Sequence, residues 1–326
     1  MDASTQLTPP VSVIMPLLNE ERHLRDAVAM ILSQNYSGPI EVVLALGPST
    51  DRTDEVADAL AAEDPRVRLV RNPSGRTPDG LNAAIGASSG EVIVRVDGHA
   101  EIPDDYVSRA VAELQRVGAD NVGGIMDARG TTDFERAVAC AMRSPLGVGA
   151  SRFHTGGEAG EADTVYLGVF RRAALERVGG YDPHFSRAQD WEMNHRIRET
   201  GGRVWFTPEL KVTYRPRASV SALAKQYFHY GRWRRVVARH HEGTINHRYL
   251  APPTMVGVTT AATVLGFFWP PAWVVPAAYV AGVTAGGLAI SGGESARTRA
   301  ALPIVLATMH WAWGIGFLTS PRRLTR

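Results

Sequence analysis

Asp97-Gly98-His99 follows the apolar run Val92-Ile93-Val94-Arg95-Val96, and Gln189-Asp190-Trp191-Glu192 follows about 90 residues later. A buried strand that ends in Asp-x-His delivers a carboxylate and an imidazole together to the carboxyl edge of a sheet, where open α/β folds bind ligands. Those two groups suit one divalent cation, and a cation there suits a diphosphate. Asp190 stands apart as a candidate general base. A polar residue at a strand end commonly does no more than start a solvated loop, so the surrounding chain has to decide.

The elements that would position these residues alternate regularly. Val11–Met15 reads as a short buried strand stopped by Pro16, and Asn19 as the cap of a helix with Leu24, Ala27, Val28, Ile31 and Leu32 on one face. Strands follow at residues 40–46, 67–70 and 91–96, with helices at 53–63 and 80–87 between them. A further helix is expected at 104–117, stopped by Gly118, and a strand at 121–125. Alternation of this kind implies an α/β fold with a mainly parallel sheet and right-handed crossovers. The place after the first strand, where a dinucleotide-binding Gly-x-Gly-x-x-Gly belongs, holds Pro16-Leu17-Leu18-Asn19-Glu20. There is no Gly-Lys-Ser/Thr loop either, so phosphate binding must rely on a metal and side chains.

The chain has 326 residues, 35 basic against 33 acidic, and one cysteine, Cys140. That charge balance identifies no partner, and a lone cysteine excludes an internal disulfide framework and a thiolate metal site. The N-terminal stretch lacks the charged start and long apolar run of a signal peptide, so the first domain is expected on the cytoplasmic side. Hydrophobicity divides sharply near residue 250. Residues 251–290 contain no Asp, Glu, Lys or Arg, nor do residues 300–320. As helix the first stretch is about 60 Å long, twice a hydrocarbon core, so it is expected to turn back on itself at Pro270-Pro271. Just before it, residues 211–248 carry nine Lys and Arg against one acid, Glu242, interleaved with Tyr214, Tyr227, Phe228, Tyr230 and Trp233. Beside a 40-residue apolar run this pattern fits an anionic lipid surface and not a nucleic acid. Three domains are therefore expected: a catalytic domain over 1–215, basic-aromatic interfacial helices over 216–249, and a transmembrane region over 250–326, made of a hairpin at 251–290 and a segment at 300–320. Three crossings would send Arg322, Arg323 and Arg326 outside, against the positive-inside tendency, and a re-entrant hairpin or an interfacial last segment is the alternative.

These residues resemble family 2 glycosyltransferases of the GT-A fold. The resemblance rests on VSVIMPLLNEERHL (11–24), PSTDRT (48–53), NPSGRTPDGLNAA (72–84), GEVIVRVDGHAEIP (90–103), GVFRRAALERVGGYD (168–182) and FSRAQDWEMNHRIR (185–198). The Asp-Gly-His triplet, the Tyr-Gly-Arg-Trp run and His310-Trp311-Ala312-Trp313-Gly314 look most like the membrane-bound exopolysaccharide enzymes of the succinoglycan type. The resemblance implies an inverting transfer of one sugar from a nucleotide-sugar donor to a lipid-linked saccharide at the plasma membrane, by a multi-pass protein with a cytoplasmic catalytic domain. It assigns Asp190 as the catalytic base, and Pro16, Asn19, Glu20, Arg76, Asn82 and Asp97 to the donor. Gly168, Arg171 and Gln189 fall to the acceptor or diphosphate. Gln226 to Trp233 resembles the Gln-x-x-Arg-Trp element of polysaccharide synthases, which implies Arg232 on diphosphate and Trp233 on the acceptor sugar.

Three departures from the family pattern matter. His99 replaces the usual second carboxylate at the metal, which favours Mn²⁺ over Mg²⁺. Gln189 replaces an acid beside Asp190, and Leu46-Gly47-Pro48 stand where an Asp usually binds the base. Transfer to polyprenyl phosphate, and a catalytically inactive nucleotide-sugar-binding scaffold, are the competing readings.

Overall fold

The computed structural model of the chain describes residues 8–322 and 324. The N-terminal residues 1–7, and Arg323 and Arg326 of the topology argument, lie outside these. The chain divides into two compact units, residues 1–126 with 157–213, and residues 127–156 with 214–326.

The first unit is built on a mixed sheet. Its elements in chain order are β1 (Val11–Leu17), α1 (Leu24–Leu32), β2 (Ile40–Leu46), α2 (Thr53–Glu63), β3 (Val67–Arg71), α3 (Thr77–Ala87), β4 (Val92–Arg95), α4 (Tyr106–Val117) and β5 (Asn121–Ala128). After the chain has visited the second unit, where it forms α5 (Asp133–Met142), α6 (Pro145–Val148) and α7 (Arg152–Thr155), it returns as β6 (Gly160–Glu161), β7 (Tyr166–Arg171), α8 (Arg172–Val178), α9 (Gln189–Glu199) and β8 (Val204–Tyr214). The strand order is β3-β2-β1-β4-β7-β5-β8-β6. β1 pairs in parallel with β2 and β4, and β2 with β3. β7 then runs antiparallel between β4 and β5. The alternating strands and helices before residue 100 dictate the parallel half. The antiparallel insertion of β7, from 70 residues downstream, left no periodic signal.

Strand boundaries show how sterics override composition. β1 does not stop at Pro16 but runs through it to Leu17. The ladder to β4 ends where Val96 N donates to the carbonyl of Ile14. Pro16 faces that same side one step further on, so its missing N–H leaves no bond unmade. Asn19 does not cap α1, which starts five residues later, after His23. It adopts the left-handed conformation, φ 59°, and works in the loop instead. Gly118 ends α4 in the left-handed conformation, φ 64°, as expected from its place after the apolar stripe. Val92, Val94 and Val96 point into the core with Val107, Val111 and Leu114 of α4. The period of two then sends Ile93 and Arg95 to the opposite face.

The second unit is helical: α5, α6 and α7 are joined by α10 (Val220–His240), α11 (His247–Gly266), a turn of 3₁₀ helix at Pro270–Trp273, α12 (Val274–Ile290) and α13 (Ala296–Leu318). The turn falls at the expected Pro270-Pro271. Residues 127–156, counted with the first domain by the sequence, cluster with these helices instead. Two stretches, Pro270–Ile290 and Ala296–Leu318, are long and apolar enough to cross a membrane.

Candidate active site

Three loops meet at the carboxyl ends of β1, β2 and β4. The Asn19 side-chain oxygen accepts from Thr50 N at 2.7 Å, and Asn19 N donates to Ser49 Oγ at 3.1 Å. Glu20 N donates to Thr53 Oγ1, Glu21 N to Asp51, and Arg52 N to the Glu21 carboxylate. The loop after β1 is thus laced to residues 49–53, where a left-handed Asn can turn and bond at once. Gly47 permits this approach, because a Cβ there would lie 2.8 Å from the Leu17 carbonyl.

The third loop carries Asp97 and His99. His99 Nδ1 stands 2.9 Å from Glu20 Oε1, and Gly98 between them is buried, its missing Cβ replaced by Glu20 and Leu17 at about 3 Å. A Glu partner fixes the orientation of the imidazole ring.

The centre of the site is Arg95, only 4% exposed. Its Nε and Nη2 donate to Asp97 Oδ1 at 3.1 and 3.0 Å, and its Nη1 is bonded to Asp190 Oδ1. One guanidinium therefore holds Asp97 and the candidate base Asp190 together across 93 residues of sequence. Burial pushes the Asp190 carboxyl up; Arg95 opposes this and Asp97 reinforces it, and the result lies above the ordinary carboxylate value. The Asp190 side chain keeps 28% exposure, so a proton can reach it. Tyr181, 1% exposed, packs beside this pair, and burial pushes its hydroxyl above the ordinary phenol value.

Asp190 lies in the first turn of α9, which follows Ala188 in the left-handed conformation, φ 61°. A non-glycine residue there costs about 1–2 kcal/mol, and the packing of α9 has to supply it. Two clamps do so. Buried Glu192 pairs with Arg196, whose guanidinium also donates to the carbonyls of Val178 and Gly180. Asn194 accepts from Asn121 at 2.6 Å and donates to Thr164 at 2.9 Å. Trp191 stacks on His195, with ring centroids 5.2 Å apart.

Several expected site residues are engaged elsewhere. Asn82 clamps the backbone of Tyr181 on both sides, at 2.7 and 2.8 Å, and so positions the tyrosine. Arg171 donates to the carbonyls of Leu114 and Ala119 and secures the end of α4. Gly168 makes room for Asn121, whose side-chain oxygen would lie 2.5 Å from a Cβ. Arg76 pairs with Asp79 and reaches the Pro183 carbonyl. Pro16 packs 3.3 Å from where a Gly80 Cβ would be. Gln189, half-buried, precedes Asp190 at the start of α9. Arg232 and Trp233 belong to the helical unit. Trp233 is 1% exposed, which closes its ring to a sugar in this conformation, and Arg232 lies 4.7 Å from the Phe228 ring centroid with a buried Nε that lacks a partner.

The sequence reading missed Arg95. Its signal was present: a charge inside Val-Ile-Val-Arg-Val is tolerated in a buried strand only if paired.

Residues 12–179 match the model of the glycosyl transferase family 2. The chain belongs to that family. The glycosyltransferase is 33% identical over 320 residues to the succinoglycan biosynthesis protein ExoA of Rhizobium meliloti (strain 1021), covering 97% of this chain and 96% of the relative. It is 24% identical over 251 residues to a dolichyl N-acetyl-alpha-D-glucosaminyl phosphate 3-beta-D-2,3-diacetamido-2,3-dideoxy-beta-D-glucuronosyltransferase of Methanococcus voltae, covering 74% of this chain and 77% of the relative. Among solved structures it resembles the mannosyltransferase PcManGT from Pyrobaculum calidifontis in complex with GDP-Man and Mn²⁺, with a TM-score of 0.59, 21% identity, and coverage of 93% of this chain and 86% of that one. The fold of the catalytic unit is GT-A.

Among the described residues no cluster of three His, Cys, Asp or Glu side chains is placed to hold a metal ion. The donor set at Asp97 and His99 is one carboxylate, already sharing an oxygen with Arg95, and one imidazole. Two such groups fit a divalent cation that takes its remaining ligands from phosphate oxygens and water.

Proposed function

We propose that this glycosyltransferase moves one sugar, with inversion, from a nucleotide-sugar to a lipid-linked saccharide at the cytosolic face of the plasma membrane, in bacterial exopolysaccharide or glycolipid synthesis. The observation that carries the reading is the shared guanidinium of Arg95, which sets Asp97 and Asp190 at one centre. Asp97 and His99 would hold a divalent cation, with Mn²⁺ preferred over Mg²⁺ because imidazole replaces a hard carboxylate oxygen. When bound, that cation stabilises the charge growing on the departing diphosphate.

The remaining chemistry falls to side chains. Asp190 accepts the proton of the acceptor hydroxyl as its oxygen attacks the anomeric carbon and the bond from that carbon to the diphosphate oxygen breaks. A carboxyl held above its ordinary value suits this role, since it is the stronger base for being partly desolvated. Gln189 contributes no second negative charge, which leaves Asp190 as the basic group of the α9 start. Asn19 and Glu20 shape the donor loop through their bonds to residues 49–53 and to His99.

The acceptor class is supported by the relative from Methanococcus voltae, named for a dolichyl-linked sugar phosphate, and the pathway by the relative named for succinoglycan biosynthesis. The structure of similar fold with GDP-Man and Mn²⁺ supports the donor class and the metal. The test is a screen of nucleotide-sugars for donor hydrolysis and for transfer to extracted lipid-linked saccharides, with and without Mn²⁺. Metal-dependent transfer that Asp190→Asn reduces about 10²-fold or more, while nucleotide binding persists, is the expected result. Full activity in Asp190→Asn would assign the base elsewhere, and transfer to bare polyprenyl phosphate would change the acceptor.

A further inference from the structure

Within the helical unit, α11 has two unlike faces. One packs on α13: Pro253 and Val256 are buried, the Tyr249 ring stacks on that of Trp313 with centroids 6.4 Å apart, and a Cβ on Gly314 would lie 2.7 Å from the Pro252 carbonyl. The other face bears a trough of about 440 Å³ lined by His247, Leu250, Ala251, Thr254, Met255 and Val258. These positions recur at the spacing of a single helix face. Pro252 and Pro253 explain why that face is hollow. Inside a helix each ring collides with the carbonyl four residues back, here of Arg248 and Tyr249, which opens the helix on the proline side and bends it toward the opposite one. Beyond His247 no ionisable side chain lines the trough, and Leu250 and Val258 are 44% and 53% exposed.

Positive charge gathers at the head of this trough. Arg248, beside His247 in the first turn of α11, donates to the Ala150 carbonyl at 3.3 Å and to the Tyr249 hydroxyl at 2.6 Å. Both partners are neutral, its buried Nε has none, and among the described residues no carboxylate pairs with it. Arg248 lies 4.7 Å from the Tyr249 ring centroid, and Arg234, which donates to the Thr244 carbonyl, lies 4.0 Å from the same centroid. Two guanidiniums thus share one ring. His154 adds no compensating charge: burial and the Arg248 cation push its imidazole down to about 3, so it is neutral at pH 7. Asn246 makes no side-chain cap on α11, and the positive end of the helix adds to the same place. A guanidinium beside a helix start suits phosphate oxygens.

We propose that the α11 trough holds the hydrocarbon chain of the lipid-linked acceptor, with the phosphate at the end of that chain bound by Arg248. An apolar strip entered past a cation matches a molecule that carries its charge at one end of a hydrocarbon, and a nucleotide-sugar, polar throughout, does not match it. A bilayer covers a helix face without needing a hollow, whereas a hollow that starts at one cation singles out one chain with one charged end. The inference rests on the acceptor class proposed above.

The test uses the full chain in detergent and a benzophenone-bearing farnesyl phosphate as the photo-cross-linking probe. Mass spectrometry should place the label within residues 250–258, and farnesyl phosphate should compete it away where farnesol and phosphatidylglycerol at the same concentration do not. Thr254 is exposed, so Thr254→Trp fills the trough without entering the core. It and Arg248→Met should each lower labelling about tenfold, the equivalent of about two buried CH₂ groups, while Val280→Trp on the exposed surface of α12 should not. Arg248→Lys, which keeps the charge, should recover part of the loss. Label outside residues 250–258, unchanged labelling in Thr254→Trp, or competition by farnesol or phosphatidylglycerol as strong as by farnesyl phosphate would overturn the inference. Metal-dependent transfer to extracted lipid-linked saccharide separates this failure from that of the proposed function. A wild type that transfers, with Thr254→Trp at the same acceptor KM, sinks the trough alone. A probe seated in the trough of a protein that transfers to no lipid-linked saccharide sinks the proposed function and, with it, the occupant named here.

Discussion

Replacing Arg95 with methionine keeps most of the side-chain volume and removes the charge. The guanidinium is 5% exposed at its side chain, whereas Asp97 and Asp190 keep 24% and 28%, so the variant leaves two part-solvated carboxylates facing each other over an apolar residue. Removing one partner of a buried ion pair costs about 3–5 kcal/mol, and the residual exposure of the two acids points to the lower end. For a catalytic unit of this size, about 3 kcal/mol corresponds to a fall in Tm of about 6–12 °C. The loss should depend on pH. In the native protein Asp190 titrates above its ordinary value, so the folded state holds that proton more tightly than the unfolded chain, and stability falls as pH rises through this interval. Without Arg95, which holds the value down, the interval extends upward. The deficit of Arg95→Met should therefore be larger at pH 7.5 than at pH 5, where more of Asp190 is neutral. Urea denaturation of wild type and variant at both pH values measures it. An equal deficit at the two pH values, or a smaller one at pH 7.5, would refute the shared-guanidinium account.

Other substitutions probe separate parts. His99→Ala should weaken Mn²⁺ and nucleoside diphosphate binding together in calorimetry, and His99→Asp should restore both with preference moved toward Mg²⁺; coincident titrations for all three proteins would remove His99 from the metal site. Trp233→Ala should cost about 3–5 kcal/mol through the cavity it leaves. A raised acceptor KM with unchanged Tm would return the ring to substrate stacking. Asn19→Ala loses both the left-handed preference and the bond to Thr50, and should raise the donor KM with a stability cost of about 1–2 kcal/mol; Asn19→Gly, which restores only the conformation, should lie between Ala and wild type.

Much of the catalytic unit was legible because its signals are local. Periods of two and of about 3.6 placed the strands and helices before residue 125, and Asp97 and His99 stand at a strand end that periodicity alone locates. What escaped notice depends on partners distant in sequence. The bonds of Asn82 to the Tyr181 backbone and of Arg171 to the end of α4 join residues far apart in sequence and have no local signal. The close approach of Asn121 to Gly168 is likewise a contact between distant segments. Arg95 was hidden by its company: within an apolar run, charge reads as noise unless the rule that buried charges need partners is applied to it. Apolar length likewise says nothing of how far protein covers a helix, which is 6% of the apolar window in Pro270–Ile290 and 39% in Ala296–Leu318.

The division of the chain has a consequence for synthesis. α5 belongs to the helical unit, and its buried face, with Ala137, Val138, Ala141 and Met142, is covered in part by α13. About 150 residues separate the two in the chain, so at about 5–20 residues per second a ribosome needs about 8–30 s to deliver the cover after α5 has emerged. During that time the catalytic sheet can complete itself while α5 still lacks the cover of α13. A nascent chain of this design has reason to reach the membrane surface, or a chaperone, well before its last helix is made.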